Sequence, residues 1–333
     1  MSATEEGEEA YGLGGISNCG NTCYANSVIQ AIRVIPEMVD VIKRSEPVET
    51  EETSKYYKVF RAYQDMVRTL WDRRTLKGTF IRPKKFWSYV HEAVQDTGYE
   101  RFASREPQDA HEFLNYILDC CHEVLKTRAP EDEAPMYSSL VGFTSPIVDS
   151  LYGWDKTEIT CENCNNVSRN FEAFNMLKVG LNKLESKSII ELLKEERCNN
   201  VIEGYKCDNC NRNTNAVCKR TLWKLPRILF YVLRRFNYDG TKDCSPFSYD
   251  GEPICLNELF ASDATDSSRH YSYKPISIID HMGSHLGGHY VAQTYHYLLK
   301  KWFLYDDETC NELIAGPRFS PNNYIIIFRA STP

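Results

Sequence analysis

The stretch "SNCGNTCYANSVIQ", residues 17–30, decides much of the predicted fold. It places two cysteines in a polar loop that leads directly into apolar residues. Tyr24, Val28 and Ile32 recur every four residues until Pro36 ends the pattern, which is the spacing of one helix face. The stretch therefore predicts a helix that begins at its second cysteine.

That second cysteine, Cys23, lies where the unpaired N–H groups and dipole of a helix N-terminus favour a thiolate. Asn21 or Thr22 is placed to cap the helix. Asn18, in the preceding loop, is placed to donate an amide hydrogen bond to an oxyanion formed beside the thiol. Two other interpretations stay open on this pattern alone: Cys23 is a small core residue, or it forms a redox pair with Cys19.

Farther along the chain, the residue pattern changes near residue 150. The first 125 residues have mostly helical periodicity, and "PQDAHEFLNYILDCCHEVL" carries an apolar stripe, with Pro107 suited to a helix start. Later segments such as "RILFYVLRRF" (227–236) and "NNYIIIFRA" are nearly continuous apolar runs, typical of strands covered on both faces. Helices followed by strands predict an α+β protein.

The composition excludes several classes of protein. The chain has 333 residues and a net charge of −7, which argues against binding nucleic acid. It shows neither a run of roughly 18 apolar residues nor a signal peptide, so no membrane partner is expected. The 13 cysteines are odd in number and are interpreted as reduced thiols. The chain is expected to be a monomeric intracellular protein of the cytoplasm, and a nuclear location stays open. Residues 1–10 are predicted to be a disordered acidic tail, and 44–55 and 126–135 solvated loops.

A base for the thiol is offered by "GGHYVAQTYHYLLKKWFLYDDE" near the C-terminus. If its two apolar runs form a hairpin with the turn between Tyr297 and Leu298, His289 lies directly opposite Asp306. Opposed side chains share a face, so Asp306 can accept a hydrogen bond from the imidazole. Asp307 points the other way unless a bulge shifts the register, and this geometry ranks Asp306 above Asp307 in importance for catalysis.

A metal site is the alternative for the same histidine. His281, His285 and His289 recur every four residues and would share one face of a helix. The intervening glycines argue against that helix.

Two CxxC pairs form a separate motif: Cys161, Cys164, Cys207 and Cys210. They lie in "CENCN" and "CDNCN", which share four of five residues, and a predicted strand and short helix separate them. Four thiolates close the coordination of tetrahedral zinc, which predicts a structural zinc ion and no catalytic cofactor. Cys198 and Cys218 are possible substitute ligands.

Taken together, these motifs resemble those of the ubiquitin-specific proteases. "GISNCGNTCYANSVIQAI" is similar to the cysteine box of that family, "EPQDAHEFLNYILD" to its Gln-Asp-Ala helix, and "GGHYVAQTYH…KWFLYDDETCNEL" to its histidine box. The paired CxxC resembles the family's fingertip zinc site, and all motifs occur in family order over residues 11–329.

The resemblance implies a papain-like cysteine protease fold with a helical thumb, zinc-bearing β fingers and an antiparallel β palm. A single catalytic domain would then cover residues 11–332. Within it, the thumb would take about 11–150, the fingers about 151–225 and the palm about 226–332.

The resemblance also assigns roles to individual residues. It implies that Cys23 is the nucleophile, His289 the general base, Asp306 the residue that orients it and Asn18 the oxyanion donor. A second set is expected to contact substrate: Asp109, Gly287, Gly288 and Asp307.

The implied activity is hydrolysis of the peptide or isopeptide bond after the C-terminal Gly-Gly of ubiquitin, in ubiquitinated proteins or ubiquitin chains. Two alternatives remain at this point: a protease for another ubiquitin-like modifier, and a catalytically silent ubiquitin-binding scaffold. A zinc-dependent nucleic-acid binder fits the acidic balance less well.

Overall fold

A computed structural model describes residues 11–131, 140, 142–181, 185–197, 199–264, 271–284 and 287–331. The chain forms two compact units. The first contains Met1–Leu125, Ile276–Arg318 and Asn322–Tyr324, and the second contains Lys126–Pro275, Phe319–Pro321 and Ile325–Pro333. The predicted acidic tail, residues 1–10, lies outside the described residues.

The α-helices of the described chain follow in sequence order: α1 (Cys23–Ile32), α2 (Pro36–Arg44), α3 (Ser54–Leu70), α4 (Lys84–Ala93), α5 (Ala110–Leu125), α6 (Pro146–Leu151) and α7 (Ile189–Glu196). The predicted helical character of the first 125 residues is thereby confirmed. Pro36 does end the first helical pattern, and it also opens α2 as a residue of its first turn. Pro107 does not start α5, because the helix begins at Ala110.

The strands comprise β1 (Gly15–Ile16), β2 (Phe80–Ile81), β3 (Thr127–Arg128), β4 (Phe143–Thr144), β5 (Gly153–Cys161), β6 (Val167–Phe174), β7 (Met176–Val179), β8 (Lys187–Ser188), β9 (Asn200–Lys206), β10 (Asn213–Lys224), β11 (Ile228–Leu233), β12 (Phe247–Ser248), β13 (Ile254–Cys255), β14 (Ser272–Ser284), β15 (Gly287–His296), β16 (Lys301–Asp306), β17 (Thr309–Glu312) and β18 (Asn323–Ser331). The predicted α+β class is confirmed. One small departure is β3, which lies where a loop was predicted and pairs with β4.

In the first unit, α1 is buried along its whole length and packs against α5 and β15. The strands run in the order β17-β16-β15-β14 and pair antiparallel. Because α1 begins at the candidate thiol and β15 carries the candidate imidazole, this packing brings the two motifs into one unit.

Aromatic side chains hold the start of α1 in place. The ring of Tyr24 lies 5.5 Å from that of Phe113 and 5.9 Å from that of Phe102. All three side chains are buried, and burying each contributes roughly 1.5–3 kcal/mol to stability. Since Tyr24 follows Cys23 directly, this cluster limits the movement of the thiol.

A buried arginine holds the segment that precedes the candidate thiol loop. Arg33, the C-cap residue of α1, is 1% exposed and donates a hydrogen bond of 2.9 Å to the carbonyl of Gly12. Gln30 on α1 donates one of 3.0 Å to the carbonyl of Gly14. Gly15 runs so close to its neighbours that a Cβ atom there would lie 2.3 Å from the backbone of Glu308. Only glycine fits at this crossing, because any side chain would collide with backbone atoms.

The second unit is built on two groups of strands. One sheet has the order β6-β5-β10-β9, and in the other group β11 pairs parallel to β7 and antiparallel to β18. Every residue of β11 is buried, as predicted for a strand covered on both faces. Helix α7 begins with a capping box between Ser188 and Glu191.

Among the described residues, no helix has both the length and the apolar character needed to cross a bilayer.

Candidate active site

Cys23 is the first residue of α1, and its thiol is almost enclosed, with 8% of the residue exposed. Burial raises the pKa of the Cys23 thiol above that of an ordinary cysteine, and a backbone hydrogen bond from Tyr290 offsets this only in part. Thr22 occupies the N-cap position, yet its side chain does not cap the helix and instead accepts a hydrogen bond of 2.9 Å from the N–H of Cys19. The helix terminus alone therefore does not produce a thiolate, and deprotonation requires a base.

That base is offered by His289 on β15, as the sequence predicts. Its Nε2 atom lies 2.6 Å from Oδ1 of Asp306, the last residue of β16. When Nε2–H donates to this carboxylate, Nδ1 is left as the ring nitrogen that can accept a proton. Among the described residues, no hydrogen bond joins Cys23 to His289. Catalytic hydrogen bonds often tighten only when substrate binds, so this geometry is compatible with their roles.

The predicted register of this hairpin is wrong by two residues. The predicted partner of Ala292 is Phe303, whereas Ala292 pairs with Tyr305 in the structure. Side chains alternate with a period of two, so a slip of two residues keeps His289 and Asp306 on the same face. They meet as diagonal neighbours, which long side chains can bridge, rather than as a directly opposed pair.

Asp307, one of the residues predicted to contact substrate, holds the loop that precedes the Cys23 thiol. Its backbone is in the left-handed region, with φ of 45°. One carboxylate oxygen accepts a hydrogen bond of 2.9 Å from Nδ2 of Asn18, and the other accepts one of 2.7 Å from Nδ2 of Asn26. The two amide groups are therefore held by one charge.

This arrangement fixes the orientation of Asn18. Its Oδ1 accepts hydrogen bonds from the backbone N–H groups of Gly20 and Thr22, at 3.0 and 3.1 Å. Its NH₂ group gives one N–H to Asp307, which leaves the second N–H for a ligand. The side chain predicted to be an oxyanion donor is thus held by contacts at both ends.

Asn26 is a site residue that the sequence reading missed. It is 2% exposed, and besides Asp307 it donates a hydrogen bond of 3.2 Å to the carbonyl of Ile16. An asparagine within a helix of mostly apolar residues is the sequence signal that could have found it, because a buried amide needs partners.

Asp109 and Gly288, two of the residues predicted to contact substrate, each have close neighbours in the structure. Asp109 caps α5, accepting the N–H of His111 at 2.7 Å, and it also accepts the hydroxyl of Tyr324 at 2.7 Å. A Cβ atom at Gly288 would lie 2.3 Å from Nε2 of His281, whereas one at Gly287 would have no neighbour within 4 Å. Gly288 is thus required by its own hairpin, and Gly287 is exposed.

The alternative metal face of three histidines does not form. His281 and His289 lie on the paired strands β14 and β15 rather than on a helix, and His285 lies outside the described residues. His289, Asp306 and Asp307 do place ligand atoms within 4.8 Å of one another. The hydrogen bonds to Asp306 and Asp307 described above account for that proximity.

In the second unit, the four cysteines of the CxxC pairs come together. Their Sγ atoms all lie within 4.8 Å of one another, with Cys161 to Cys210 at 3.9 Å and Cys164 to Cys207 at 3.7 Å. Thiolates bound to tetrahedral zinc at 2.3 Å are about 3.8 Å apart, so the donor set and its spacing fit zinc. Of the substitute ligands, Cys218 lies outside this cluster on β10, and Cys198 is not among the described residues.

The repeated pentapeptide has a structural cause. Asn165 and Asn211, the last residues of "CENCN" and "CDNCN", both adopt left-handed backbone conformations, with φ of 54° and 51°. Each donates its N–H to the carbonyl of the first cysteine in its pair, at 2.9 and 2.8 Å. Asparagine tolerates this conformation better than most residues, so both turns select it.

The chain is similar in sequence to a known family of proteins. A family model described as "Ubiquitin carboxyl-terminal hydrolase" matches residues 14–328. The Drosophila melanogaster protein "Ubiquitin carboxyl-terminal hydrolase Usp2" is 25% identical over 98% of this chain and 35% of its own length. The Bos taurus "Ubiquitin carboxyl-terminal hydrolase 2" is 23% identical over 99% of this chain and 57% of its length. This chain thus spans between about a third and just over half of these relatives.

Solved structures show the same fold. A chain of the SAGA DUB module Ubp8/Sgf11/Sus1/Sgf73 bound to monoubiquitin superposes with a TM-score of 0.73 at 19% identity, covering 99% of this chain and 72% of that chain. The same module bound to ubiquitin aldehyde also gives a TM-score of 0.73, at 18% identity over 99% of this chain and 72% of that chain. Because the family model covers nearly all of its length, the chain belongs to the ubiquitin carboxyl-terminal hydrolase family.

Proposed function

We propose that this chain is a cysteine-type deubiquitinase that hydrolyses the bond after the C-terminal Gly-Gly of ubiquitin. The observation that carries the proposal is the presence in one unit of a thiol at a helix start and an imidazole bonded to a carboxylate, His289 to Asp306 at 2.6 Å. The names of the fly and bovine relatives, and the ubiquitin bound in the matched structures, support ubiquitin as the substrate.

The reaction begins with transfer of the Cys23 proton to Nδ1 of His289. Because burial raises the pKa of the Cys23 thiol, the resting enzyme holds the protonated thiol, and the proton leaves only during the reaction. Asp306 orients the ring and stabilises the imidazolium that forms. The thiolate then attacks the carbonyl carbon of the terminal glycine.

The attack places negative charge on the carbonyl oxygen. The second N–H of Asn18 and the backbone N–H of Cys23, at the start of α1, are the proposed donors to this oxyanion. Asp307 contributes by holding the Asn18 amide in place. Preorganised donors of this kind stabilise the transition state without reorganising during the reaction.

The tetrahedral intermediate collapses by breaking the carbon–nitrogen bond. The imidazolium of His289 gives its proton to the departing amine, which is a lysine side chain in an isopeptide or an α-amine in a peptide. A thioester to ubiquitin remains on Cys23. Water, deprotonated by His289, hydrolyses this thioester and restores the thiol with release of the ubiquitin carboxylate.

Substrate selection is proposed to rest on a narrow approach for the glycine tail. Gly287 and Gly288 border the candidate imidazole, and absence of side chains there leaves room for backbone close to the reacting atoms. Asp109 keeps a carboxylate near the start of α5, where its contacts to His111 and Tyr324 fix its position. Such a charge suits the arginine that precedes Gly-Gly in ubiquitin.

We further propose that the four clustered cysteines hold one structural zinc ion. Cys161 and Cys164 belong to one β-turn and Cys207 and Cys210 to another, so a shared ion would join the ends of two hairpins. The Asn209 amide donates to Sγ of Cys164 and lowers the pKa of that thiol to about 6, which favours the thiolate that zinc requires. The ion would contribute to folding and would take no part in hydrolysis.

The proposal is tested with ubiquitin that carries a thiol-reactive group in place of its C-terminal carboxylate. Wild type should form a covalent adduct, and Cys23→Ala should not. A matching probe made from another ubiquitin-like modifier is the specificity control, since preferential reaction with that probe would keep the chemistry and change the substrate. Binding of ubiquitin without any adduct or turnover would instead favour a scaffold.

A further inference from the structure

A cavity of about 540 Å³ opens beside the thiol loop of the first unit. Asn18, Cys19 and Gly20 form one wall, and the buried rings of Tyr24 and Trp87 contribute to its lining. This volume lies within the range of ordinary ligand sites, roughly 300–1,000 Å³. The catalytic scheme above uses only the wall formed by Asn18.

The cavity is basic, although the chain as a whole is acidic. Arg82, Lys84 and Arg105 line it, and all three are exposed. Among the described residues, none of these three side chains forms an ion pair, and no carboxylate belongs to the lining. Arg82 also lies over the ring of Phe80, at 5.3 Å. Three exposed cations around a cavity without a lining carboxylate favour an anionic ligand, although the net charge of the chain is −7.

Two carboxylates contact residues of the lining from outside the cavity. Asp307 accepts hydrogen bonds from Asn18 and Asn26, and Glu308 accepts one of 2.7 Å from the hydroxyl of Ser17. Both lower the positive potential of the cavity. Within the described part of the chain, neither of them forms an ion pair with Arg82, Lys84 or Arg105.

The position of the cavity distinguishes it from the proposed tail channel. Its lining includes neither His289 nor the positions expected to contact the ubiquitin tail, Asp109, Gly287 and Gly288. Asn18, the proposed oxyanion donor, is nevertheless part of the lining. The cavity thus adjoins the proposed reaction centre but lacks the tail-contacting residues, and the part of the substrate left to enter it is the other half of the scissile bond, the amine and its polypeptide.

We infer that this cavity binds acidic side chains of the polypeptide that leaves during hydrolysis, close to its modified lysine. The inference rests on the proposed deubiquitinase function and extends it to the choice of substrate. Carboxylates near the lysine would meet the guanidinium groups of Arg82 and Arg105, which can bind a carboxylate through two hydrogen bonds, and the ammonium group of Lys84. Conjugates with acidic sequence around the lysine should thus be cleaved faster than neutral ones.

The test uses ubiquitin joined through an isopeptide bond to short peptides that differ only beside the lysine. One peptide carries Asp and Glu there, and the other carries Asn and Gln. Wild type should cleave the acidic conjugate with the higher kcat/KM, by about two- to fivefold for each ion pair formed. The preference should shrink as salt rises from low to physiological ionic strength, because exposed charge pairs are screened.

The decisive variant is the triple replacement Arg82→Gln, Lys84→Gln and Arg105→Gln, which should abolish the preference. Lys85→Gln is the matched control, since Lys85 is a neighbouring exposed cation on α4 that lies over the ring of Tyr89 at 5.8 Å and does not line the cavity. This control should keep the preference of wild type.

Ubiquitin carrying a small fluorogenic amide at its C-terminus tests deubiquitinase activity alone, because this substrate has no peptide that could enter the cavity. If wild type cleaves it and shows no preference between the peptides, or if the triple variant keeps the preference, the cavity does not recognise acidic leaving groups. If wild type cleaves neither the amide nor the conjugates, the deubiquitinase proposal fails and the inference fails with it. Equal probe reactivity of wild type and the triple variant shows that the variant is folded.

Discussion

Replacing Asp307 by alanine should slow catalysis more than any other substitution of an acidic residue around the thiol. The change removes the acceptors of two hydrogen bonds, 2.9 Å from Asn18 and 2.7 Å from Asn26. Without them the Asn18 amide is no longer held toward the oxyanion, and loss of one oxyanion donor costs about 10²–10³ in kcat. The buried Asn26 amide would also lose a partner, at about 1–3 kcal/mol in stability.

The Asp306 carboxylate should matter less, which reverses the ranking that the hairpin predicts. It makes one hydrogen bond to His289, and the two side chains are 48% and 38% exposed. Water can replace part of that interaction because both side chains are partly exposed, so the loss of rate should be smaller than for Asp307→Ala. Asp306→Ala should therefore keep measurable turnover.

The assay is steady-state hydrolysis of ubiquitin with a fluorogenic C-terminal amide, resolved into kcat and KM. Asp307→Ala should lower kcat with little change in KM, because the oxyanion exists only in the transition state. Glu308→Ala is the matched control, since Glu308 accepts only the Ser17 hydroxyl and makes no contact with the Asn18 amide, and it should lower kcat much less than Asp307→Ala. In a double-mutant cycle, adding Asp307→Ala to Asn18→Ala should cost little more than Asn18→Ala alone. A folded Asp307→Ala enzyme whose kcat lies within about threefold of the wild-type value would refute this account of Asn18.

Three further measurements check other parts of the structure. In His289→Ala, alkylation of Cys23 should increase with pH through a pKa above that of an ordinary thiol, because burial disfavours the thiolate; a midpoint below that of an unburied cysteine thiol would contradict this. The purified protein should contain about one zinc per chain, and Cys207→Ser should lose both the metal and several degrees of Tm; a metal-free wild type of normal Tm would rule out the zinc. Gly288→Ala should cost about 1–3 kcal/mol in stability through its clash with the hairpin, whereas Gly287→Ala should be close to neutral, and equal costs would show that the clash is relieved.

Much of the candidate site could be predicted from the sequence because its parts are local. The start of a helix at Cys23 follows from apolar spacing, and the two metal-binding turns follow from CxxC with a trailing asparagine. The predicted register was wrong by two residues, but side chains on a strand alternate with a period of two. His289 and Asp306 therefore still lie on the same face, as predicted. Short-range periodicity determines such features before any long-range contact forms.

The tertiary structure decided what depends on residues far apart in sequence. Asp307 lies 289 positions from Asn18, and only the packing of α1 against β15 and the turn after β16 brings its carboxylate to that amide. The high pKa of Cys23 likewise reflects burial, which no local pattern reports. The basic cavity combines a loop, α4 and the segment before α5, none of them basic enough alone to predict an anion site. Sequence periodicity determined which residues share an element and a face, whereas the charge and enclosure of the site come from contacts between elements.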